Sequence, residues 1–114
     1  MGKKSRTKGQ QYEIEVRDAL RDLFNDPQRN LDQVREKEGR DLDGTQPLTV
    51  QCKRRKRVAM GTVMAGLQEA IESCDNEYTT PCVVFRSDFG VSHITFVLDD
   101  FVALLYDYMN GGYE

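Results

Sequence analysis

The hydrophobic positions along the chain alternate between the spacing of helices and the spacing of strands. Apolar residues three or four positions apart predict amphipathic helices over 11–24, 61–74 and 100–109, with Asp99 as the N-cap of the last helix. The apolar stripes expected to face the core are Val16, Ala19, Leu20, Leu23 and Phe24, then Met60, Val63, Met64, Leu67, Ile71 and Cys74, and finally Phe101, Leu104, Leu105 and Tyr108. Both methionines of the second stripe are therefore expected to be core residues rather than ligands.

The segments between these helices have the patterns of strands. Residues 48–53 and 91–98 alternate apolar and polar side chains, whereas residues 81–86 are almost wholly apolar, as in a strand buried on both faces. A short strand is expected over residues 40–43, between two glycines, and the weak polar pattern of residues 33–37 is interpreted as an edge strand. The pattern predicts an α/β fold in which helices flank a mixed central sheet of about five strands, in the order α-β-β-β-α-β-β-α.

The length of 114 residues fits one domain with one core. We expect that domain over 11–110, with a flexible basic arm over 1–10 and a frayed tail over 111–114. No apolar run approaches the ~20 residues that cross a bilayer, so no membrane association is expected. The three cysteines have no pairing or metal-ligand spacing, and no apolar stretch follows the basic N-terminus. Both features indicate a reducing, cytoplasmic setting.

The net charge of −3 conceals two halves of opposite sign. Residues 1–57 hold 15 of the 16 Lys and Arg residues with 10 of the 19 acids, whereas residues 58–114 hold one cation, Arg86, with nine acids. Phosphate binding depends on a local positive face rather than on total charge, so the segregation favours a nucleic-acid partner. The alternative is that the acidic half is a solvated surface. The predicted DNA-binding residues are Lys3, Lys4, Arg6 and Lys8, and then Arg54, Arg55, Lys56 and Arg57.

Polar side chains near the middle of the chain have the arrangement of a metal site. On the strand over 48–53, Gln51 and Lys53 point away from the apolar face of Leu48, Val50 and Cys52. A turn over 44–47 can bring Asp41 back beside them. For Asp41 to share their face, the connection must have an odd length or contain a bulge, a feature that is frequent beside active sites.

Metal-dependent cleavage of a phosphodiester needs oxygen ligands, an attacking water and positive charge near the phosphate. Glu13 falls on the apolar stripe of the first helix, where a metal or a cation must compensate a carboxylate, unless it lies at a frayed helix start. The candidate ligands for Mg²⁺, with Mn²⁺ as a substitute, are Glu13, Asp41, the side-chain oxygen of Gln51 and the carbonyl oxygen of Cys52. Lys53 would orient or help deprotonate the water.

These residues resemble a known family. The chain is similar to archaeal-type Holliday junction resolvases and related phage endonucleases, within the restriction-endonuclease-like PD-(D/E)xK nuclease superfamily. Asp41 matches the first acid of that signature, and Gln51-Cys52-Lys53 matches its acid-x-Lys element. Lys8-Gly9 followed by Glu13 resembles the first-helix motif, whose glutamate joins the metal site. The resemblance covers nearly the whole chain and implies a Mg²⁺-dependent homodimer that cuts four-way DNA in recombination, a role that also suits a phage protein.

Gln51 departs from the family pattern, because an acid is usual at that position. A neutral amide can ligate through its oxygen but removes one negative charge, which Asp43 can partly replace. Asp43 and Glu15 also stay open as alternatives to Asp41 and Glu13. Two further interpretations compete with an enzyme: a non-catalytic DNA-binding module that uses the same basic face, and a protein-interaction domain whose cations are only solvated.

Overall fold

The part of the chain that the structure describes contains three helices and five strands, so the α/β class is as predicted. The structure, a computed structural model, describes residues 3–24, 27–29, 41–74 and 80–111, with the backbone alone over 3–6. The elements are α1 (Lys3–Ala19), β1 (Gln28–Arg29), β2 (Leu42–Asp43), β3 (Leu48–Arg55), α2 (Met60–Glu72), β4 (Thr80–Ser87), β5 (His93–Phe96) and α3 (Leu98–Met109). The edge strand predicted over 33–37 and the tail after residue 111 lie outside the described residues.

Helix α1 includes most of the segment that was predicted to be a flexible basic arm. The helix begins at Lys3, so that prediction is corrected. Lys, Arg and Gln are good helix formers, and a basic composition therefore permits a helix as readily as a coil. The Lys8 ammonium forms an ion pair with Asp88 at 2.9 Å, and the hydroxyl of Tyr12 shares a 2.8 Å hydrogen bond with Ser92. These contacts attach the first half of α1 to the segment between β4 and β5.

Helix α2 buries a different face from the one predicted. Met60 and Met64 are 72% and 55% exposed, so the expectation that they are core residues is wrong. The buried residues of this helix are Val63, Gly66, Leu67 and Ala70. Two of them are small, which lets the helix lie close to the sheet along that line and leaves the methionines outside the contact.

Helices α1 and α3 also differ from prediction at their ends. Helix α1 ends at Ala19, and Leu23 of the predicted stripe is 76% exposed. Helix α3 begins at Leu98, so β5 is shorter than predicted and Val97, in an extended conformation, occupies the N-cap position in place of Asp99. Asp99 lies in the first turn, where the helix dipole favours a carboxylate.

Helix α3 carries apolar side chains that are incompletely covered. The predicted inward residues do lie on one side, around a groove of about 230 Å³ lined by Phe24, Pro47, Leu48, Phe101, Leu104, Leu105 and Tyr108. None of the residues of α3 is buried, and Tyr108 remains 69% exposed. The direction of the stripe was therefore predicted correctly, but its burial was not. Among the described helices, none is long and apolar enough to cross a membrane.

The larger described sheet has the strand order β3-β4-β5, so β3 lies at one of its edges. Strand β4 pairs with β3 in parallel, from Leu48 opposite Thr80 to Arg55 opposite Ser87. A parallel pair needs a crossover connection, and α2 lies in that connection. Strand β5 pairs antiparallel with β4, while β1 and β2 form an antiparallel pair of their own. The described strands therefore form sheets of three and two strands, rather than one sheet of about five, because β1 and β2 have only two residues each.

The alternation predicted for β3 is confirmed by its packing. On one face, Leu48, Val50 and Cys52 join a core cluster with Tyr12 and Val16 of α1. On the opposite face, α2 packs through a second cluster of Val63, Leu67 and Val83. Each fully buried aliphatic side chain contributes about 1.5–3 kcal/mol to folding. Strand β3 is thus fixed between two layers, and its polar side chains of the second face lie beneath α2.

The close contact between α2 and the sheet gives a test of the fold. A Cβ added at Gly66 would lie 2.8 Å from Cγ2 of Val83 and 3.2 Å from Cε of Lys53. We expect Gly66→Ala to lower the free energy of unfolding by about 1–3 kcal/mol, measured by urea denaturation. Gly61→Ala is the matched control, because nothing lies within 4 Å of its added Cβ. Equal effects of the two substitutions would contradict this packing.

Candidate metal and nucleic-acid site

The Asp41 carboxyl group is held at the edge of β3 away from β4. Its main-chain N–H donates to the Val50 carbonyl at 2.9 Å, and its Oδ2 accepts a 2.7 Å hydrogen bond from the Cys52 N–H. Gly44, with a φ of 77°, lies in the turn that brings the chain back to the strand. Asp41 therefore contacts β3 at its edge, not on the face that carries Gln51. The bulge that was expected if the two residues shared a face is not needed.

Burial gives Asp41 an unusual proton affinity. The residue is 6% exposed, and desolvation raises the pKa of its carboxyl to about 7 from the ordinary value of 3.8. The hydrogen bond from Cys52 lowers this pKa, the negative charge of Glu13 raises it, the ammonium of Lys53 lowers it and Glu69 raises it. Charges on two helices and one strand therefore act on a single buried carboxyl group.

Glu13 reaches this neighbourhood from α1. Its side chain is 13% exposed, and Oε1 accepts a 3.0 Å hydrogen bond from Nε of Arg29. The cation that the sequence required beside this carboxylate is thus Arg29, on β1. Glu15, the alternative ligand, instead pairs with Arg86 through two hydrogen bonds of 3.1 and 2.9 Å. Of these two acids, Glu13 is the one whose charge acts on Asp41.

Lys53 lies beneath α2 and is already paired. Its Nζ is 2.9 Å from Oε1 of Glu69, and its side chain is 17% exposed. The aliphatic stem runs under Gly66, whose missing side chain leaves the space that it occupies. The small residue on α2 therefore determines where the ammonium of Lys53 lies.

Gln51 is enclosed beside Lys53 on the same face of β3. It is 1% exposed, and its Nε2 has no hydrogen-bond partner among the described residues. A buried polar group left unpaired costs about 1–3 kcal/mol. The amide nitrogen thus has unused hydrogen-bonding capacity inside the protein, on the strand face that also carries the ammonium of Lys53.

Cys52 contributes main-chain atoms rather than its thiol. Burial raises the pKa of the thiol well above its ordinary value, so the sulfur stays protonated. The N–H and C=O of one strand residue point to the same edge. Because the Cys52 N–H binds Asp41, the Cys52 carbonyl is directed to the same edge of β3.

One residue from each predicted basic cluster contacts the same acid at the far end of β3. Lys8 and Arg54 both contact the carboxylate of Asp88, at 2.9 and 3.2 Å, and the hydrogen bond from Lys8 holds the pKa of Asp88 below its ordinary value. Arg55, Lys56 and Arg57 are exposed. Lys3, Lys4 and Arg6 lie in the first turns of α1, and their side chains are outside the described part of the structure.

The side chains around Asp41 can be compared with the oxygen ligands that a divalent cation needs. Among the described residues, no three His, Cys, Asp or Glu side chains lie together as a metal site. Mg²⁺, however, is commonly held by one or two carboxylates with other oxygens and water. Asp41 and Glu13 fit this pattern, because the charge of Glu13 raises the pKa of Asp41 and a cation would relieve that repulsion. The residues are thus compatible with Mg²⁺.

Sequence reasoning missed three residues of this region: Arg29, Glu69 and Asp88. Arg29 lies in a two-residue strand that has no pattern to detect. Glu69 lies outside the predicted apolar stripe of its helix, but it neighbours the small residues Gly66 and Ala70, which mark the buried face. Asp88 follows β4 directly, and its role depends on a contact 80 residues away in sequence.

Comparison of the chain with protein-family models, with curated proteins and with solved structures finds no match. The function is therefore inferred from the residues and their geometry.

The raised pKa of Asp41 gives a pH-dependent prediction. The folded protein binds a proton on this group more tightly than the unfolded chain does, so its contribution to stability is full below pH 3.8 and is lost as pH rises through about 7. Asp41→Asn keeps an oxygen for the Cys52 N–H and carries no charge. We expect this variant to be more stable than wild type by up to roughly 4 kcal/mol at pH 8, and by little at pH 4. A difference that is constant across urea titrations from pH 4 to 8 would contradict the burial of a titrating carboxyl.

Proposed function

We propose that the chain is a metal-dependent DNA endonuclease of the restriction-endonuclease-like type, similar to Holliday junction resolvases. The observation that carries the proposal is the buried Asp41 carboxyl at the edge of β3, under the influence of Glu13, Lys53 and Glu69. The same strand then leads directly into the exposed cations over 55–57. A charged buried cluster that continues into a phosphate-binding surface suits hydrolysis of a nucleic-acid backbone.

In this proposal, Asp41 and Glu13 would hold Mg²⁺ or Mn²⁺, together with the Cys52 carbonyl oxygen and the side-chain oxygen of Gln51. The bound metal would supply charge stabilisation to the phosphate and lower the pKa of a water. Lys53 would position an attacking water or offset negative charge on the phosphate. In the structure without DNA, Glu69 holds its ammonium. The exposed cations grip the flanking phosphates and keep the DNA in register.

The fold is proposed to be restriction-endonuclease-like on the basis of the described elements. The parallel pair of β3 and β4 with α2 between them, and the antiparallel β5 beyond, support that assignment. The acid precedes this parallel pair, and the Gln-x-Lys element lies within β3, as the resemblance requires. A branched or four-way DNA and a homodimer are proposed as substrate and assembly. The incompletely covered apolar residues of α3 offer a surface to a second copy.

A second function, a DNA-binding module without cleavage, is favoured by specific contacts. Glu13 is already paired with Arg29, and Lys53 is already paired with Glu69. Gln51 adds no charge to the site. If these pairs persist when DNA binds, the chain would hold DNA on the same basic face and leave the phosphodiester intact.

A cleavage assay separates the two functions. Labelled duplex, single-stranded and four-way DNA are incubated with Mg²⁺ or Mn²⁺ and wild type, Asp41→Asn, Lys53→Ala or Glu15→Gln. We expect wild type to cut, with a preference for the four-way substrate, and both site variants to lose about 100-fold or more in rate. Glu15→Gln, in which an acid outside the site is neutralised, should cut like wild type.

Retention of DNA without cutting by wild type, in gel-shift experiments on the same substrates, would establish the binding module instead. Cutting that survives Asp41→Asn would exclude the proposed metal site even if the protein is a nuclease. Absence of both binding and cutting at low salt would leave a protein-interaction domain as the remaining interpretation.

A further inference from the structure

The turn between β4 and β5 contains an aromatic residue in an unfavourable position. The Gly90 N–H donates to the Ser87 carbonyl at 3.0 Å and closes the turn. Phe89, the third residue of this turn, has a φ of 64° and is fully exposed. Among the described residues other than glycine, it is the one with positive φ.

Neither backbone preference nor packing accounts for Phe89. A turn with positive φ at its third residue alone is of the type II pattern, which favours Gly or Asn there, and a bulky side chain is a true outlier. An aromatic ring that points into water also gains nothing from burial. Strained residues that persist despite such costs cluster at ligand-binding sites, so the observation calls for a functional explanation.

The surroundings of the turn are cationic. The Asp88 N–H donates to the carbonyl of Arg55 at 3.0 Å, which attaches the turn to the end of β3. Lys56, Arg57, Asp88 and Phe89 line a cavity of about 380 Å³. The one acid among them is already bound by Lys8 and Arg54, so two cations share its charge. The exposed ring therefore lies beside Lys56 and Arg57, while the one acid of the cavity already pairs with two other cations.

We propose that the Phe89 ring stacks on an unpaired base of DNA while Lys56 and Arg57 hold the phosphates on either side of that base. An exposed aromatic ring beside a positively charged groove is the arrangement that binds single strands, since every base has a π-face. Bases inside a duplex are stacked on both faces and cannot accept the ring without opening. The site thus distinguishes DNA with unpaired bases from continuous duplex. This inference rests on the proposed binding of DNA, but not on its cleavage.

The test measures binding in the absence of divalent metal, so that no strand is cut. Fluorescence anisotropy is recorded with a duplex and with the same duplex carrying an unpaired loop, for wild type, Phe89→Asn, Phe89→Tyr and Leu23→Ala. We expect Phe89→Asn to bind the looped DNA about 5- to 150-fold more weakly and the duplex equally well. Phe89→Tyr should keep the affinity. Leu23, an apolar residue after α1 that is 76% exposed, provides the control for loss of an exposed apolar side chain, and its removal should change neither affinity.

Two independent signals accompany the affinity measurement. A 2-aminopurine base in the loop should lose fluorescence on binding wild type and keep it with Phe89→Asn. Since Asn tolerates positive φ, Phe89→Asn should also raise Tm by roughly 4–8 °C, which shows that weaker binding is not caused by unfolding.

Equal affinity of Phe89→Asn and wild type for looped DNA would overturn the inference, as would an equal loss on duplex or no DNA binding by wild type. In that last case, a ring that docks on another protein becomes the explanation of the strain. Phe89-dependent binding without any cutting in Mg²⁺ would refute the nuclease and retain the stacking site. If wild type cuts DNA and Phe89→Asn does not change the affinity for looped DNA, the nuclease is retained and the stacking site is refuted.

Discussion

The burial of one carboxyl group at the edge of β3 is the constraint on which this account depends. Asp41 is held there by two hydrogen bonds to the strand, through its main chain to Val50 and through its side chain to Cys52. Desolvation disfavours its ionised form and raises its pKa to about 7. A carboxylate buried in this way destabilises the fold when it is ionised, and binding of a cation or a proton offsets that desolvation cost. It is therefore suited to a binding or catalytic role.

Strand β3 divides its two faces between stability and chemistry. The face toward α1 carries Val50 and Cys52 in a dry core, and that core holds the strand in place. The face toward α2 carries Gln51 and Lys53. Among the described residues, Nε2 of Gln51 has no hydrogen-bond partner, whereas Lys53 is paired with Glu69. The core on the first face therefore offsets the cost of the polar groups on the second.

Local patterns predicted the parts of the fold that depend on alternation. The positions of β3 and β4 along the chain follow from side-chain periodicity, and Asp41 returns to β3 because Gly44 permits the turn. Contacts between distant segments could not be predicted in this way. Glu69 and Arg29 become partners of the site only through the packing of α2 and the pairing of β1. The exposed methionines of α2 show the same limit, since Gly66 and Ala70 determine the contact face by their small size rather than by their hydrophobicity.

The most direct measurement is the titration of the Asp41 side-chain carbon by ¹³C NMR, with and without Mg²⁺. The account predicts a pKa of about 7 without metal and a shift toward its ordinary range when Mg²⁺ binds beside Glu13. A pKa close to 3.8 that does not respond to Mg²⁺ would contradict both the buried carboxyl and the metal site proposed around it.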